Sequence, residues 1–461
     1  MSVHSSIIGG LPSSKLFSFP PHNPAPPVPP AAVDSFSVMR PFNIPDGLFL
    51  GALDARVPIT IAALYAVTVK LLNRYNRANN KQAWAISKTA SFRFFVVLHN
   101  IFLAVYSAWT FWGMLGGMRK SIVHPFGPGG LAATADSACR LHGAPGLGRS
   151  VYFNEHLSRF ESSGPDTPAG VIDASTGLPS GQQMGRIWNE GLAYYGWIFY
   201  LSKFYEVLDT FIILAKGKPS STLQTYHHAG AMLCMWAGMR YMSAPIWVFV
   251  QFNSFIHALM AQYTYYTVTA FNIRVPVFIK RSLTSMQITQ FLVGASLAMC
   301  HSFVYYFAPA AASTTTSDSA ASVASVRALL FGSGADARRI KTVVDRDVSY
   351  VSQPCIVSSG ETFAIWLNVV YLAPLTYLFV SFFIASYVKR SNAANKFAGK
   401  GAAARRLSNV NVDVALAEKA GWDAARGLER EVYGGERMVR SGENSPTREE
   451  SAARRTTRRR G

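Results

Sequence analysis

Apolar residues along this chain form stretches that are long enough to cross a membrane as helices. Seven such stretches lie at approximately 56–72, 92–115, 190–214, 222–241, 245–270, 287–308 and 362–388. A membrane-spanning helix needs about 20 mainly apolar residues, whereas a barrel strand is about half as long and alternates apolar with polar positions. The pattern therefore predicts an all-α integral membrane protein with seven transmembrane helices.

Polar segments surround and interrupt these stretches. Residues 1–45 contain Ser runs and clustered prolines but no basic region leading into an apolar one, so we predict a disordered leader and not a signal peptide. The helical domain is expected at 46–390, with a Gly- and Pro-rich insertion at 118–186 and a Ser-, Thr- and Ala-rich one at 309–360. Residues 391–461 are predicted to be a basic, disordered tail.

Composition and charge narrow the class further. Of the 461 residues, 49% are hydrophobic and only 15% are charged, against roughly a quarter charged in soluble domains. A soluble globule is thereby disfavoured. The net charge of +19 does not indicate a nucleic-acid partner here, because Lys and Arg of membrane proteins collect in cytosolic loops and tails. The four cysteines exclude a disulfide scaffold or a cysteine-rich zinc array.

The basic residues also predict the topology. The short loops 73–91, 215–221 and 271–286 contain Lys or Arg and no acidic residue, whereas the loop 242–244 on the other side has only Arg240 near it. Cytosolic loops are enriched in Lys and Arg. We therefore predict a cytosolic C-terminus and, with seven crossings, a lumenal N-terminus.

Charged residues inside the third stretch need a partner or a function, because charge is costly in hydrocarbon. Lys203, Glu206 and Asp209 follow one another at a spacing of three, which places them along one stripe of a helix. A structural ion-pair network and a functional site are both compatible with this spacing.

Histidines follow in the next two stretches. Gln224 and His227 lie one turn apart, with His228 adjacent, and Asn253 precedes His257 by four residues on one helix face. Two neighbouring intramembrane imidazoles beside a glutamine indicate catalysis or ligand binding. His99 and His301 stand alone in apolar runs and are expected to be hydrogen-bonded core residues.

The sixth stretch repeats the three-residue spacing with neutral groups. Thr284, Gln287 and Gln290 lie along one face. Buried amides could bind an amide- or phosphate-bearing ligand or hydrogen-bond a neighbouring helix, and the second use is the commoner one.

Four motifs in this order resemble the ELO family of very-long-chain fatty acid elongases from filamentous fungi. They are Lys-x-x-Glu-x-x-Asp-Thr at 203–210, LQTYHH at 223–228, Asn-x-x-x-His-x-x-Met at 253–260 and Thr-x-x-Gln-x-x-Gln at 284–290. The chain departs from the family in two places. Gln224 stands where many members have histidine, and Ala261 and Gln262 separate Met260 from a run of tyrosines.

The resemblance implies a 3-ketoacyl-CoA synthase of the endoplasmic reticulum membrane, with a helix bundle that encloses an acyl-chain tunnel. It would condense a long acyl-CoA with malonyl-CoA and release CO2 and CoA. No metal or organic cofactor is implied, because both thioesters are substrates. The implied partners are the ketoreductase, dehydratase and enoyl reductase of the elongation cycle and membrane lipids, with a homodimer left open and no nucleic acid.

Histidine is the expected nucleophile, because neither Cys234 nor Cys300 has a legible histidine partner and a neutral imidazole can itself attack a thioester. This predicts ping-pong acyl transfer, with His227 as the first choice of acyl acceptor, His257 near the same thioester and His228 as orienting or acid/base partner. Residues expected to bind or orient substrate are Lys203, Glu206, Asp209, Gln224, Asn253, Thr284, Gln287 and Gln290.

Two other classes share features with this sequence. A membrane di-iron desaturase or hydroxylase also carries a His-x-x-His-His box, but it needs about eight clustered histidines, and only three cluster here. A seven-helix receptor or transporter would use the polar stripes to bind a ligand or ion without chemistry.

The remaining cysteines, Cys139 and Cys355, fall in the two long loops assigned to the lumen. An oxidising compartment permits a disulfide between them. Two free thiols in flexible insertions are the alternative.

Overall fold

The computed structural model describes residues 7–31, 37–264, 277–310 and 349–384, most of which are helical. The helices are α1 (Asp46–Ala52), α2 (Arg56–Ala78), α3 (Ala90–Ser121), α4 (Gly130–Cys139), α5 (Trp197–Tyr205), α6 (Val207–Ala215), α7 (Thr222–Arg240), α8 (Ile246–Thr264), α9 (Val277–His301) and α10 (Ser359–Phe383). The strands are β1 (Ile7–Gly9), β2 (His142–Gly143), β3 (Ser150–Asn154), β4 (Arg159–Ser162), β5 (Val304–Ala310) and β6 (Ser349–Pro354). A π-helical segment, Trp188–Gly196, leads into α5.

Helix lies at each of the seven apolar stretches, although the third is divided. Its π-helical segment contains an extended residue at Gly191, and α5 gives way to α6 at Glu206. Within the described residues, four helices are long and apolar enough to cross a membrane by length and composition. They are Arg56–Ala78, Ala90–Ser121, Arg281–His301 and Ser359–Ser381.

Two small antiparallel sheets correct the all-α prediction. One has the order β1-β5-β6 and the other the order β2-β3-β4. Helix α9 ends at His301, and Val304–Ala310 pairs with both β1 and β6, so the sixth stretch is not helical to residue 308. The hydropathy of this segment misled the prediction, because short apolar runs rich in Val and Tyr form either strands or helices.

The described parts of the two long insertions, together with β5, form a cap, which we define as residues 122–186, 304–310 and 349–358. At its centre the buried carboxylate of Asp136 accepts from Arg186 Nη2 at 2.6 Å and from the Tyr306 hydroxyl at 2.9 Å. The Cys139–Cys355 disulfide hypothesis is confirmed, and the bond closes a separation of 216 residues. The described residues of the cap are therefore joined by a disulfide and a buried ion pair.

The N-terminal segment is also ordered where the structure describes it, which corrects the prediction of a disordered leader for residues 7–31. The backbone carbonyl of Pro27 accepts from Trp188 Nε1 at 3.0 Å, and that of Pro24 accepts from Arg240 Nη1. Proline has no N–H but keeps its carbonyl acceptor, so a proline-rich segment can pack in extended form. The predicted tail at 391–461, residues 271–276 of the loop 271–286, and Tyr265 and Tyr266 lie outside the described residues.

Capping residues define where the helices that carry the site begin. The Thr89 and Ser221 hydroxyls accept backbone N–H groups at the starts of α3 and α7. Ser358 and Glu361 form a reciprocal capping box at the start of α10. Helix α7 packs against α2, α5 and α10, while α8 packs against α3 and α9, so the motif-bearing helices are neighbours.

A buried histidine in the cap predicts acid sensitivity of the fold. Burial lowers the pKa of His142, whose Nε2 contacts the Met242 sulfur, from 6.5 to about 3. Between about pH 6.5 and pH 3 this imidazole binds a proton in the unfolded chain but stays neutral in the folded chain. The free energy of unfolding therefore decreases as the pH falls through this range. At pH 5 we expect this group to lower the free energy of unfolding by about 2 kcal/mol.

His142→Gln should reduce the pH dependence of the free energy of unfolding of the cap. His156→Gln, at an exposed position, should leave that pH dependence unchanged. Equal pH slopes in both variants and in the wild type would contradict the assignment.

Candidate intramembrane site

A buried ion pair lies where α5 ends. Lys203 Nζ donates to Glu206 Oε1 at 2.7 Å and to Asn253 Oδ1 at 3.1 Å, and Ser202 Oγ donates to the same Glu206 oxygen at 3.0 Å. The side chains of Lys203 and Glu206 are only 4% and 5% exposed. The first motif is thus joined directly to α8, and both charges have partners as their burial requires.

The side chain of Asp209 contacts His99 of α3 rather than this ion pair. The helix breaks at Glu206, so the expected single stripe does not continue. Asp209 Oδ1 lies 2.7 Å from His99 Nε2, and the Tyr205 hydroxyl lies 3.1 Å from His99 Nδ1. His99 is therefore a hydrogen-bonded core residue, as expected, and its partner belongs to the motif.

Gln224 connects the histidine box to the end of the first motif. Its side-chain amide donates to Thr210 Oγ1 at 3.1 Å, and the Tyr65 hydroxyl lies 2.9 Å from the same oxygen. Gln224 and Thr210 are both buried. This contact joins α7, α6 and α2.

The two adjacent histidines of α7 face different neighbours. His227 Nδ1 lies 3.0 Å from the hydroxyl of Tyr371 on α10, whereas the ring of His228 meets the Tyr65 ring edge-on. The centroids of the two imidazoles are 5.4 Å apart. The divergence follows from the rotation of about 100° between successive helical residues.

The third imidazole, His257 on α8, belongs to the same electrostatic environment. It lies one turn beyond Asn253, whose Oδ1 accepts from Lys203. Glu206 and His228 are among the other charged or titratable neighbours of His257. Gln287 of α9 donates to the sulfur of Met260 at 2.7 Å, while Thr284 and Gln290 are buried on the same helix. The motif of α9 therefore approaches the cluster through α8.

The structure thus brings most of the predicted residues into one polar cluster inside an apolar bundle. Its members are Lys203, Glu206, Thr210, Gln224, His227, His228, Asn253 and His257, with Asp209 on the α3 side and the α9 residues behind Met260. Tyr371 and Tyr65 were missed by sequence reasoning. Tyr371 is 144 residues from His227, and a tyrosine in an apolar helix carries no local signal of such a contact.

The side chains of the cluster that could take part in chemistry are imidazoles and a paired charge. Within the described residues no group of three or more His, Cys, Asp or Glu side chains is arranged to hold a metal ion. Cys234 Sγ lies 3.9 Å from the Leu367 carbonyl, and Cys300 is exposed.

The apolar helices define a multi-pass membrane protein, and the polar cluster lies between them. The chain belongs to the ELO (GNS1/SUR4) family, whose model matches residues 52–395. No solved structure matches it.

Similar proteins include Long chain fatty acid elongase 1 of Caenorhabditis elegans, 31% identical over 25% of this chain and 39% of that protein. Very long chain fatty acid elongase 3 of Homo sapiens is 33% identical over 24% of this chain and 40% of its own length. Fatty acid elongase 2 of Trypanosoma brucei brucei is 30% identical over 27% of this chain and 46% of its own length. Each match spans less than half of the relative.

Proposed function

We propose that this protein is the condensing enzyme of fatty acid elongation, a very-long-chain 3-oxoacyl-CoA synthase. The observation that carries the proposal is the convergence of His227, His228 and His257 with the Lys203–Glu206 pair inside the bundle. Membership of a family with members named fatty acid elongases supports the substrate class. Acyl-CoA and malonyl-CoA are the proposed substrates, and no metal or organic cofactor takes part.

In the first half-reaction an imidazole attacks the acyl thioester. A bond forms between the imidazole nitrogen and the acyl carbon, the carbon–sulfur bond breaks, and CoA leaves as a thiolate that takes up a proton. His227 is the proposed acceptor, because its ring is fixed from one side by Tyr371. A neutral imidazole is a competent nucleophile in apolar surroundings.

In the second half-reaction malonyl-CoA loses CO2 and becomes an enolate. The enolate carbon attacks the acyl carbon, the carbon–nitrogen bond breaks, and its electron pair returns to histidine. Donors near the cluster would stabilise the developing oxyanion. Those available are His228, His257, Gln224, Gln287 and Gln290.

The proposed topology has seven spans in the endoplasmic reticulum membrane, with the N-terminus in the lumen and the C-terminus in the cytosol. Helix α3 runs from the basic loop 73–91 to the cap, so the basic loops and the disulfide lie at opposite ends of the bundle. Lys and Arg favour the cytosolic side and disulfides the oxidising side. The acyl chain would enter a tunnel between the helices, and the ketoreductase, dehydratase and enoyl reductase would act on the product.

The proposal is tested with full-length protein purified in detergent, a ladder of saturated acyl-CoAs and radiolabelled malonyl-CoA. We expect labelled 3-oxoacyl-CoA together with stoichiometric CO2 and CoA, without added metal. Iron bound at two equivalents with desaturated product would support the desaturase. Saturable ligand binding without malonyl-CoA consumption would support a receptor or transporter.

A localisation prediction concerns the C-terminal arginines, which lie outside the described residues. Truncation after Ala453 removes Arg454, Arg455, Arg458, Arg459 and Arg460. If they form a retrieval signal, the shortened protein should leak onward along the secretory route, as seen by microscopy of a tagged chain. Replacing the same arginines by lysine is the matched control for charge, because anionic lipids attract both residues. Unchanged location of the truncated chain would exclude the retrieval signal and leave the enzyme assignment intact.

A further inference from the structure

We propose that Tyr371 is the positioning residue of His227 and that it makes Nε2, not Nδ1, the nitrogen that accepts the acyl group. This inference rests on the proposed function and assigns a residue that none of the four sequence motifs contains. Tyr371 lies in the middle of α10, is 8% exposed, and makes two contacts with one residue of α7.

Both contacts can be hydrogen bonds in only one neutral tautomer of His227. The Tyr371 hydroxyl lies 2.9 Å from the backbone carbonyl of His227 and 3.0 Å from His227 Nδ1. A carbonyl can only accept, and a phenol has a single hydrogen, so both contacts are hydrogen bonds only when that hydrogen goes to the carbonyl. The Nδ1 contact is then a hydrogen bond only if Nδ1 carries a proton and donates it to the phenol oxygen.

The neutral imidazole of His227 therefore carries its lone pair on Nε2. Within the described residues, no hydrogen bond occupies that nitrogen. In a neutral imidazole one nitrogen donates and the other accepts, and the partner of the first determines the role of the second. Tyr371 thus leaves the nucleophilic nitrogen on the side of the ring away from α10.

Neighbouring residues hold Tyr371 in place for this role. The Tyr226 hydroxyl donates to the Tyr371 backbone carbonyl at 3.1 Å, and the two rings pack with centroids 5.5 Å apart. Gly230, one turn beyond His227, faces the Tyr371 ring so closely that a Cβ there would collide with it. The approach of α10 to α7 at this point therefore depends on glycine.

The arrangement also affects the intermediate. When Nε2 attacks the thioester and the thiolate leaves, the Nδ1 proton stays between the ring and the phenol oxygen. The acyl group is then carried by a cationic ring that departs as neutral imidazole, a better leaving group than the imidazolate that a ring without the Nδ1 proton would release. When the enolate attacks, the electron pair returns to Nε2 and the starting tautomer is restored.

The test compares Tyr371→Phe with Tyr377→Phe in the full-length protein. Tyr377 is on the same helix and 58% exposed, so it serves as the matched control. We expect Tyr371→Phe to slow single-turnover CoA release without malonyl-CoA by about 10- to 100-fold, the range seen when a metal-binding histidine loses its orienting partner. KM for acyl-CoA should stay within about twofold, and the control should match the wild type.

A graded measurement distinguishes positioning from packing. Fluorotyrosine at position 371 keeps the ring and the hydroxyl but weakens the phenol oxygen as an acceptor, so CoA release should slow stepwise with one and two fluorines. The fluorotyrosine variants also test the inference if Tyr371→Phe does not fold. If CoA release is unchanged in both the phenylalanine and the fluorinated variants, the inference about Tyr371 is wrong. Condensation by the wild-type protein would in that case still support the proposed function. A wild-type protein without condensation would overturn both.

Discussion

His227→Ala is expected to abolish condensation in a protein that still inserts and folds. The variant removes the proposed acyl acceptor, and loss of a covalent nucleophile lowers turnover by about 10³-fold or more. His257→Ala should have a similarly severe effect, because this imidazole shares the buried electrostatic environment of Glu206 and Lys203. Labelled malonyl-CoA incorporation and CO2 release measure the loss.

His301→Ala is the matched control for both variants. His301 is also a histidine of an apolar helix, but its Nδ1 contacts the Leu297 carbonyl within α9 and it takes no part in the cluster. Its activity should equal that of the wild type, and the elution profile in detergent should be the same for all three variants. Near-wild-type turnover of His227→Ala or His257→Ala would show that the role assigned to that histidine is wrong.

Asp136→Ala is expected to destabilise the cap by about 3–5 kcal/mol, the usual cost of leaving one partner of a buried pair uncompensated. The guanidinium of Arg186 is 2% exposed and the carboxylate of Asp136 is 1% exposed. The same carboxylate accepts from Tyr306 on β5, so its removal also loosens the contact between α4 and the β1-β5-β6 sheet. Urea-dependent proteolysis of the cap, with the Cys139–Cys355 bond intact, measures the change.

Glu161→Ala provides the comparison within the same cap. Glu161 pairs with Arg159, whose side chain is 67% exposed, and exposed pairs are worth about 1 kcal/mol or less. Replacing both Asp136 and Arg186 by apolar residues should recover part of the stability lost in Asp136→Ala, because no charge is then left buried alone. An Asp136→Ala cap as stable as that of Glu161→Ala would show that the Asp136–Arg186 pair does not hold the cap together.

Hydropathy predicted where helices form but not how each of them ends. Windows of about 20 residues average over Gly191 and Glu206, so the division of the third stretch was invisible. The same averaging joined Val304–Ala310 to the preceding helix. A strand there depends on partners at Ile7–Gly9 and Ser349–Pro354, which are remote in sequence.

The sequence predicted which residues belong to the candidate site better than it predicted which of them contact one another. Regular spacing placed Lys203 beside Glu206, because both lie within one helical turn. It did not predict that Lys203 reaches Asn253 or that Asp209 pairs with His99. These contacts depend on how neighbouring helices rotate against one another, and side-chain packing determines that rotation.

Apolar length and motif spacing were sufficient to predict a helical membrane protein of the ELO type, because both are local properties of consecutive residues. The three-dimensional packing was needed to show that Cys139 bonds to Cys355, that described parts of the insertions form a cap around Asp136, and that Tyr371 faces His227. Each of these contacts joins residues more than 40 positions apart. Their formation depends on the packing of whole helices, whose free energy is spread over many side chains and leaves no signature at the two residues that touch.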